Sequence, residues 1–185
     1  MISIDKSKLG NEYEKIKAYL EYYEEYGAPL VSEYSKDLDE KVDGITNYLN
    51  QCREYNLDFD AVSLQRIVID LSSTIYYTSS RMEQVEILAD MAKISYKDKY
   101  NEAYTSRQGA SKQEDRKYTS DQLRALADQE AIEEELVHFI YSHCASILKS
   151  KIDAANELLK ACSKSLSSEI ASMQAMNYTS SKAGM

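Results

Sequence analysis

Between Thr119 and Met173 the chain contains neither proline nor glycine, and its apolar and small residues recur at one spacing. Val137, Tyr141, Cys144, Leu148, Ile152, Ala155, Leu159, Cys162, Leu166, Ile170 and Met173 follow one another at steps of three or four. The steps average about 3.6 residues, the period of a straight α-helix. Thr119 can cap such a helix, and Gln122, three residues on, can reach back to the cap's own N–H. The expectation is one helix of about 55 residues, on the order of 80 Å long. A helix of that length points to a coiled coil, an extended bundle or an assembly rather than to an ordinary globular domain.

The rest of the chain fits a helical architecture. Only 5 Gly and 1 Pro occur in 185 residues, too few for the tight turns of an α/β enzyme. A first helix is expected from Glu12 to about Tyr26, with Tyr13, Ile16, Leu20 and Tyr23 on one face. Gly27-Ala28-Pro29 then ends it, Gly27 supplying a left-handed stop and Pro29 the first turn of the next helix. Such a joint makes either an antiparallel pair or a bent continuation. A second helix runs to about Glu54 with Leu30, Tyr34, Leu38, Val42, Ile45 and Leu49 as its stripe, and Asp58 or Asp60 caps a third. The third settles into a seven-residue pattern: Ile75, Thr78, Met82, Val85, Ala89, Ala92, Tyr96, Lys99 and Ala103. Residues 105–118 read as a polar connection around Gly109.

The predicted fold is therefore all-α, an elongated helical bundle with two long antiparallel helices joined by a basic polar loop. Residues 1–57 form an acidic N-terminal helical pair, 58–176 a long helical hairpin, and 177–185 a disordered tail. The formal net charge is −9, which argues against indiscriminate polyanion binding. Its distribution is uneven. Residues 11–60 carry 13 acidic and 5 basic side chains, whereas Lys93 to Lys117 carry 7 basic and 4 acidic. Cys52, Cys144 and Cys162 are an odd, widely spaced set without a CxxC pair, as expected of small core residues in a reducing compartment. No apolar run suits a signal peptide or a membrane span, so the expected location is cytoplasmic, with no membrane partner.

No catalytic signature is present, and neither a cofactor nor a metal is expected. Glu135-x-x-His138 has the spacing of a di-iron bundle motif, but His143 is preceded at three residues by Ile140, so the second motif such a site needs is missing. His143 and Cys144 are adjacent on a helix and point apart. The pattern that suggests a ligand is different. Tyr96, Tyr100 and Tyr104 recur every fourth residue among Lys93, Lys97 and Lys99, and Arg107, Lys112, Arg116 and Lys117 follow. Single-stranded nucleic acid is held by cations that track phosphates and by aromatic faces on which bases stack. The same tyrosines can instead fill a helix seam while the lysines keep it soluble.

The succession from Leu88 to Met173 resembles the phage recombination mediators of the UvsY family. The likeness lies in AKISYKDKYNEAY, the polar TSRQGASKQED, then RKYTSDQLRALAD and the long helix VHFIYSHCASILKSKIDAANELLKACSKSL. What the resemblance implies is a non-enzymatic, phage-encoded homo-oligomer that binds single-stranded DNA, displaces or co-binds the single-strand binding protein and helps load a RecA-like recombinase. It implies DNA contacts from Lys93, Lys97 and Lys99, and oligomerisation through the last helix, at Leu148, Ile152, Leu159, Leu166 and Ile170. The alternative is a helical structural or assembly protein, or an acidic inhibitor, acting through protein contacts without DNA binding.

Overall fold

The computed structural model describes residues 10–55, 57, 60–113 and 118–183, with the side chains of 10–12, 111–113 and 177–183 outside that description. Among the described residues there is no strand. The elements are α1 (Gly10–Tyr22), a π-helical turn (Tyr23–Gly27), α2 (Ala28–Glu54), α3 (Ala61–Gln113), α4 (Ser120–Glu130) and α5 (Ile132–Ala183). The protein is all-α and its helices pack as a bundle. No helix among the described residues is long and apolar enough to cross a membrane.

A seven-residue repeat organises three of the helices. In α3 the buried residues Leu64, Leu71, Thr78, Val85 and Ala92 recur every seventh position, with Ile75, Ala89 and Ala103 on the companion row. In α2 Val31, Leu38, Ile45 and Cys52 do the same, and in α5 Leu148, Ala155 and Cys162 do so beside Ile152. A strict repeat of seven keeps each apolar seam facing its neighbours in the manner of a coiled coil. The buried hydroxyls in these seams are satisfied within their own helices. Ser35 donates to Asp39 at 2.7 Å and Thr78 to the Thr74 carbonyl at 3.0 Å.

The chain divides into two compact units. The first comprises Met1–Ser32 with Glu83–Ser146, and the second Glu33–Met82 with Ile147–Met185. In the second unit Leu38, Ile45, Leu71, Ile75, Ile152, Ala155 and Cys162 form one core, with Ile67, Val68, Met82, Leu158 and Leu159 packed on it. Lys151 binds Asp39 at 2.5 Å, Lys41 binds Asp70 at 3.2 Å, and the Arg81 guanidinium donates to the Tyr34 carbonyl at 3.3 Å. These pairings set α2 and α3 antiparallel. Asp60 begins α3 as a cap, its carboxylate accepting from the backbone N–H of Ser63 at 3.0 Å and from the Ser63 hydroxyl at 2.7 Å. Those bonds hold its pKa below the ordinary carboxylate value.

In the first unit α1 and α5 run side by side in register. Lys15 binds Glu135 at 2.5 Å, Tyr19 stacks on Phe139 at 4.6 Å, and Tyr23 meets His143 edge-on at 5.1 Å. Each step is four residues on both helices. The contacting face of α1 is thus Lys15, Tyr19 and Tyr23, whereas Ile16 and Leu20 of the expected stripe are exposed. Burial pulls the Lys15 ammonium down, but the hydrogen bond and charge of Glu135 outweigh it and leave it raised. Burial, reinforced by Glu135, raises the Tyr19 phenol.

Four expectations need correction. The helix expected from Thr119 onward is two helices. Thr119 caps α4 with the anticipated capping box, but the backbone leaves helical geometry at Ala131, with φ −101° and ψ 11°. Leu123, Ala127, Ala131, Leu136 and Ile140 are all buried. The step of five between Ala131 and Leu136 cannot stay on one face of a continuous helix, and the break absorbs the extra residue. Glu133, Glu134 and Glu135 thereby fall in the first turn of α5, where unpaired backbone N–H groups favour carboxylates.

Gly27 is not a left-handed stop. The chain continues through a π-helical turn, with the Ala28 N–H bonded to the Tyr23 carbonyl, so the joint is a continuation rather than a reversal. Pro29 explains the turn, because it lacks an N–H and its ring would clash with the carbonyl four residues back in a regular helix. What requires glycine at 27 is space. A Cβ there would lie 2.5 Å from Cδ2 of Tyr23 and 3.2 Å from Sγ of Cys144.

α3 runs on to Gln113, through residues expected in the polar connection, of which 114–117 lie outside the described residues. Gly109 has no atom near its would-be Cβ and is tolerated in the helix at about 1 kcal/mol relative to alanine. Finally, the α5 backbone remains helical to Ala183, where a disordered tail from 177 was expected. No Pro or Gly lies between Gly109 and Gly184, and polarity alone does not end a helix.

Candidate functional site

The tyrosines and cations singled out in the sequence lie in the first unit, and many already have partners within the protein. Tyr96, Tyr100 and Tyr104 form a ladder along α3, with ring centroids 6.2 and 6.3 Å apart and the second pair stacked. All three are half-buried. The Tyr96 hydroxyl donates to Asp128 of α4 at 3.2 Å, and burial followed by the Asp128 charge raises its pKa. The Arg107 guanidinium grips Glu130, Nε donating at 2.8 Å and a terminal nitrogen to the same oxygen. Lys99 pairs with Glu102 at 3.6 Å. Lys93 and Lys97 are exposed. Lys112, Arg116 and Lys117 lie outside the residues whose side chains are described.

The stripe assigned to oligomerisation is used inside the chain. Leu148 and Ile152 are buried, and Leu159 packs on the second unit's core. Leu166 is half-buried, and Ile170 is exposed with Met173 and Met176. Leu148, Ile152 and Leu159 thus pack within the chain, while the C-terminal end of the stripe at Ile170 and Met173 stays exposed. At the other end of α5, Val137 and Tyr141 are off the stripe. Leu136 and Ile140 take their place in the core, continuing the row of Cys144 and Leu148 at steps of four along the same helix. His138 Nδ1 lies 3.1 Å from the Ala89 carbonyl oxygen and donates to it. With Glu135 tied to Lys15, both members of the Glu-x-x-His pair are engaged in packing.

A groove in the first unit has a different character. It is lined by Tyr22 at the end of α1, Tyr26 within the π-helical turn, Leu30 of α2, Leu88 of α3, and Val137, Ile140 and Tyr141 of α5, and encloses about 470 Å³. Four of these side chains are substantially exposed: Tyr22 at 44%, Tyr26 at 56%, Leu88 at 37% and Val137 at 44%. Tyr22 and Tyr26, four residues apart, stack with their ring centroids 6.0 Å apart, and Gly27 lets α5 approach until the Cys144 thiol donates to the Gly27 carbonyl at 3.5 Å. π-turns inside α-helices are frequent at functional sites. On α3, beyond the groove, Ile87, Met91 and Ile94 add an exposed apolar row at i, i+4 and i+7.

No family model, curated protein or solved structure matches this chain.

Of the groove residues, Leu30, Val137 and Tyr141 were read in the sequence as core-facing and the other four were not singled out, yet a signal exists. α3 has apolar residues on two faces. Val62, Ile69, Tyr76, Tyr77, Ile87, Met91 and Ile94 all fall outside its buried seam, and a helix apolar beyond one stripe advertises a second contact surface. Tyr22 and Tyr26 likewise make a second aromatic row beside Tyr19 and Tyr23 on the N-terminal helix.

Proposed function

We propose that this chain is a non-catalytic helical protein that acts by binding a protein partner at the groove of the first unit. The observation that carries the reading is the groove itself: Tyr22, Tyr26, Leu88 and Val137 expose large apolar surfaces around one cleft. A contiguous exposed apolar patch of this kind marks an interaction site far more often than scattered exposed residues do. The fixed helices on either side of it supply a preformed seat, which reduces the ordering cost of binding. Selection of helical peptides from a displayed library against the full-length chain tests the reading. Enriched peptides should compete for one site and lose affinity for Val137→Lys. Failure to enrich any peptide that is sensitive to this substitution overturns it.

A second reading is favoured by the exposed Lys93 and Lys97 beside the tyrosine ladder: a phage-type recombination mediator on single-stranded DNA, with recombinase and single-strand binding protein as partners. The engagement of Arg107 by Glu130 and of Tyr96 by Asp128 ranks it below the first, since both groups must surrender an internal partner to meet DNA. Saturable, salt-sensitive binding of an unstructured oligonucleotide, abolished in a Lys93→Ala/Lys97→Ala variant, would reverse that order.

A further inference from the structure

We infer that the occupant of the groove is a basic amphipathic helix of another protein, its apolar side chains seated among Tyr26, Leu88 and Val137 and its cations placed over Glu133 and Glu134. The inference rests on the reading that the groove docks a protein, and adds the chemistry of what docks.

Charge argues first. At Val137 the apolar groove meets a second hollow of about 250 Å³, walled by Ala92, Ser95, Glu133, Glu134 and Val137. The apolar seat thus ends against two carboxylates. Their neighbour Glu135 is bound by Lys15 of α1, whereas among the described residues no ion pair engages Glu133 or Glu134. The segments that build the walls share the bias. Residues 13–32 hold four acidic against two basic side chains, and 83–95 hold three against one, Lys93. A partner approaching this surface meets a negative field, which accelerates and orients a cationic ligand and opposes an anionic one. A second copy of this chain would bring the same acidic walls to the contact, and nucleic acid would bring phosphates.

Backbone chemistry decides the form of the partner. The groove is lined by side chains of helices, and no strand exists among the described residues to offer an edge. An extended segment laid in it would carry N–H and C=O groups into an apolar cleft without partners, at a cost per buried group comparable to a lost hydrogen bond. A helix satisfies its own backbone and presents apolar anchors at i, i+3 or i+4, and i+7. Lysine or arginine one or two turns from those anchors reaches the carboxylates.

The test uses the full-length protein and two synthetic helical peptides with the same apolar face, one flanked by lysines and one by glutamates, read by fluorescence anisotropy. The lysine peptide should bind at least about tenfold more tightly. Val137→Lys, at an exposed position, should abolish its binding while leaving helicity intact. Glu133→Gln/Glu134→Gln should reduce its affinity about tenfold and flatten its salt dependence. Equal binding of both peptides, lost in Val137→Lys, would overturn the basic partner and leave the docking function standing. Binding of neither peptide would overturn both. Binding of the lysine peptide that is indifferent to Val137→Lys would place its site elsewhere and refute the inference.

Discussion

Gly27→Ala should destabilise this protein, although the same substitution in a helix ordinarily does the opposite. Glycine inside a helix costs about 1 kcal/mol relative to alanine, and Gly44, whose would-be Cβ meets nothing within 4 Å, provides the reference. Gly44→Ala should therefore gain roughly that amount. At Gly27 the added methyl would stand 2.5 and 2.9 Å from ring atoms of Tyr23 and 3.2 Å from the Cys144 sulfur. Neither neighbour yields cheaply. The Tyr23 ring is held against His143, and Cys144 is fully buried. Overpacking of this type costs about 1–3 kcal/mol, so after the propensity gain the net effect is a loss of roughly 0–2 kcal/mol. The two variants should differ by about 1–3 kcal/mol in urea unfolding followed by circular dichroism. In a Tyr23→Ala background, where the closest contacts are absent, Gly27→Ala should change sign. A Gly27→Ala protein stabilised as much as Gly44→Ala would show that the close packing of α5 on the π-turn is not what glycine serves.

Other consequences follow from the packing. Leu71, fully buried in the core of the second unit, should cost about 2–5 kcal/mol as alanine, whereas exposed Met91 as alanine should cost little; chemical denaturation of each checks the contrast. Thr119→Ala removes the hydroxyl that accepts the Gln122 N–H and should cost about 1 kcal/mol, with early fraying of α4 visible in amide hydrogen exchange. The thiols of Cys144 and Cys162 are buried and their pKa values raised by that burial, so thiol reagents should label them only on unfolding. The sign of the linkage is that stability is intact below the unfolded thiol pKa, about 8.5, and declines as pH rises through the raised folded value. Thermal scans across that window should show the decline.

Much of the fold was legible because local rules and tertiary packing agree along most of α2, α3 and the middle of α5. Of the repeat read from Ile75 to Ala103, Ile75, Thr78, Val85, Ala89, Ala92 and Ala103 are buried, Met82 and Tyr96 are half-buried, and only Lys99 is exposed, since a seven-residue pattern has one geometric solution in a bundle. The capping box at Thr119 is equally local and equally correct. The readings that failed depended on a neighbour. Gly27 carries the same letter whether it supplies a left-handed stop or makes room for Cys144 117 residues away. The break at Ala131 has no glycine or proline to announce it, only the five-residue step from Ala131 to Leu136, visible once burial assigns the stripe. For the candidate site the limit was similar. Glu130 and Asp128, which engage Arg107 and Tyr96, lie 23 and 32 residues along the chain, whereas Glu102, the partner of Lys99, is local. The groove was hidden because its seven lining residues come from five successive elements, α1, the π-turn, α2, α3 and α5.

The most direct test of the central claim places both ligands before one sample. Labelled amphipathic lysine peptide and labelled unstructured oligonucleotide are titrated with wild-type protein and with Val137→Lys, at near-physiological salt. A protein that acts through its groove should saturate the peptide, lose it in the variant and leave the oligonucleotide unbound. Saturation of the oligonucleotide by both proteins, with the peptide unbound, would contradict the account and return the function to the lysines and tyrosines of α3.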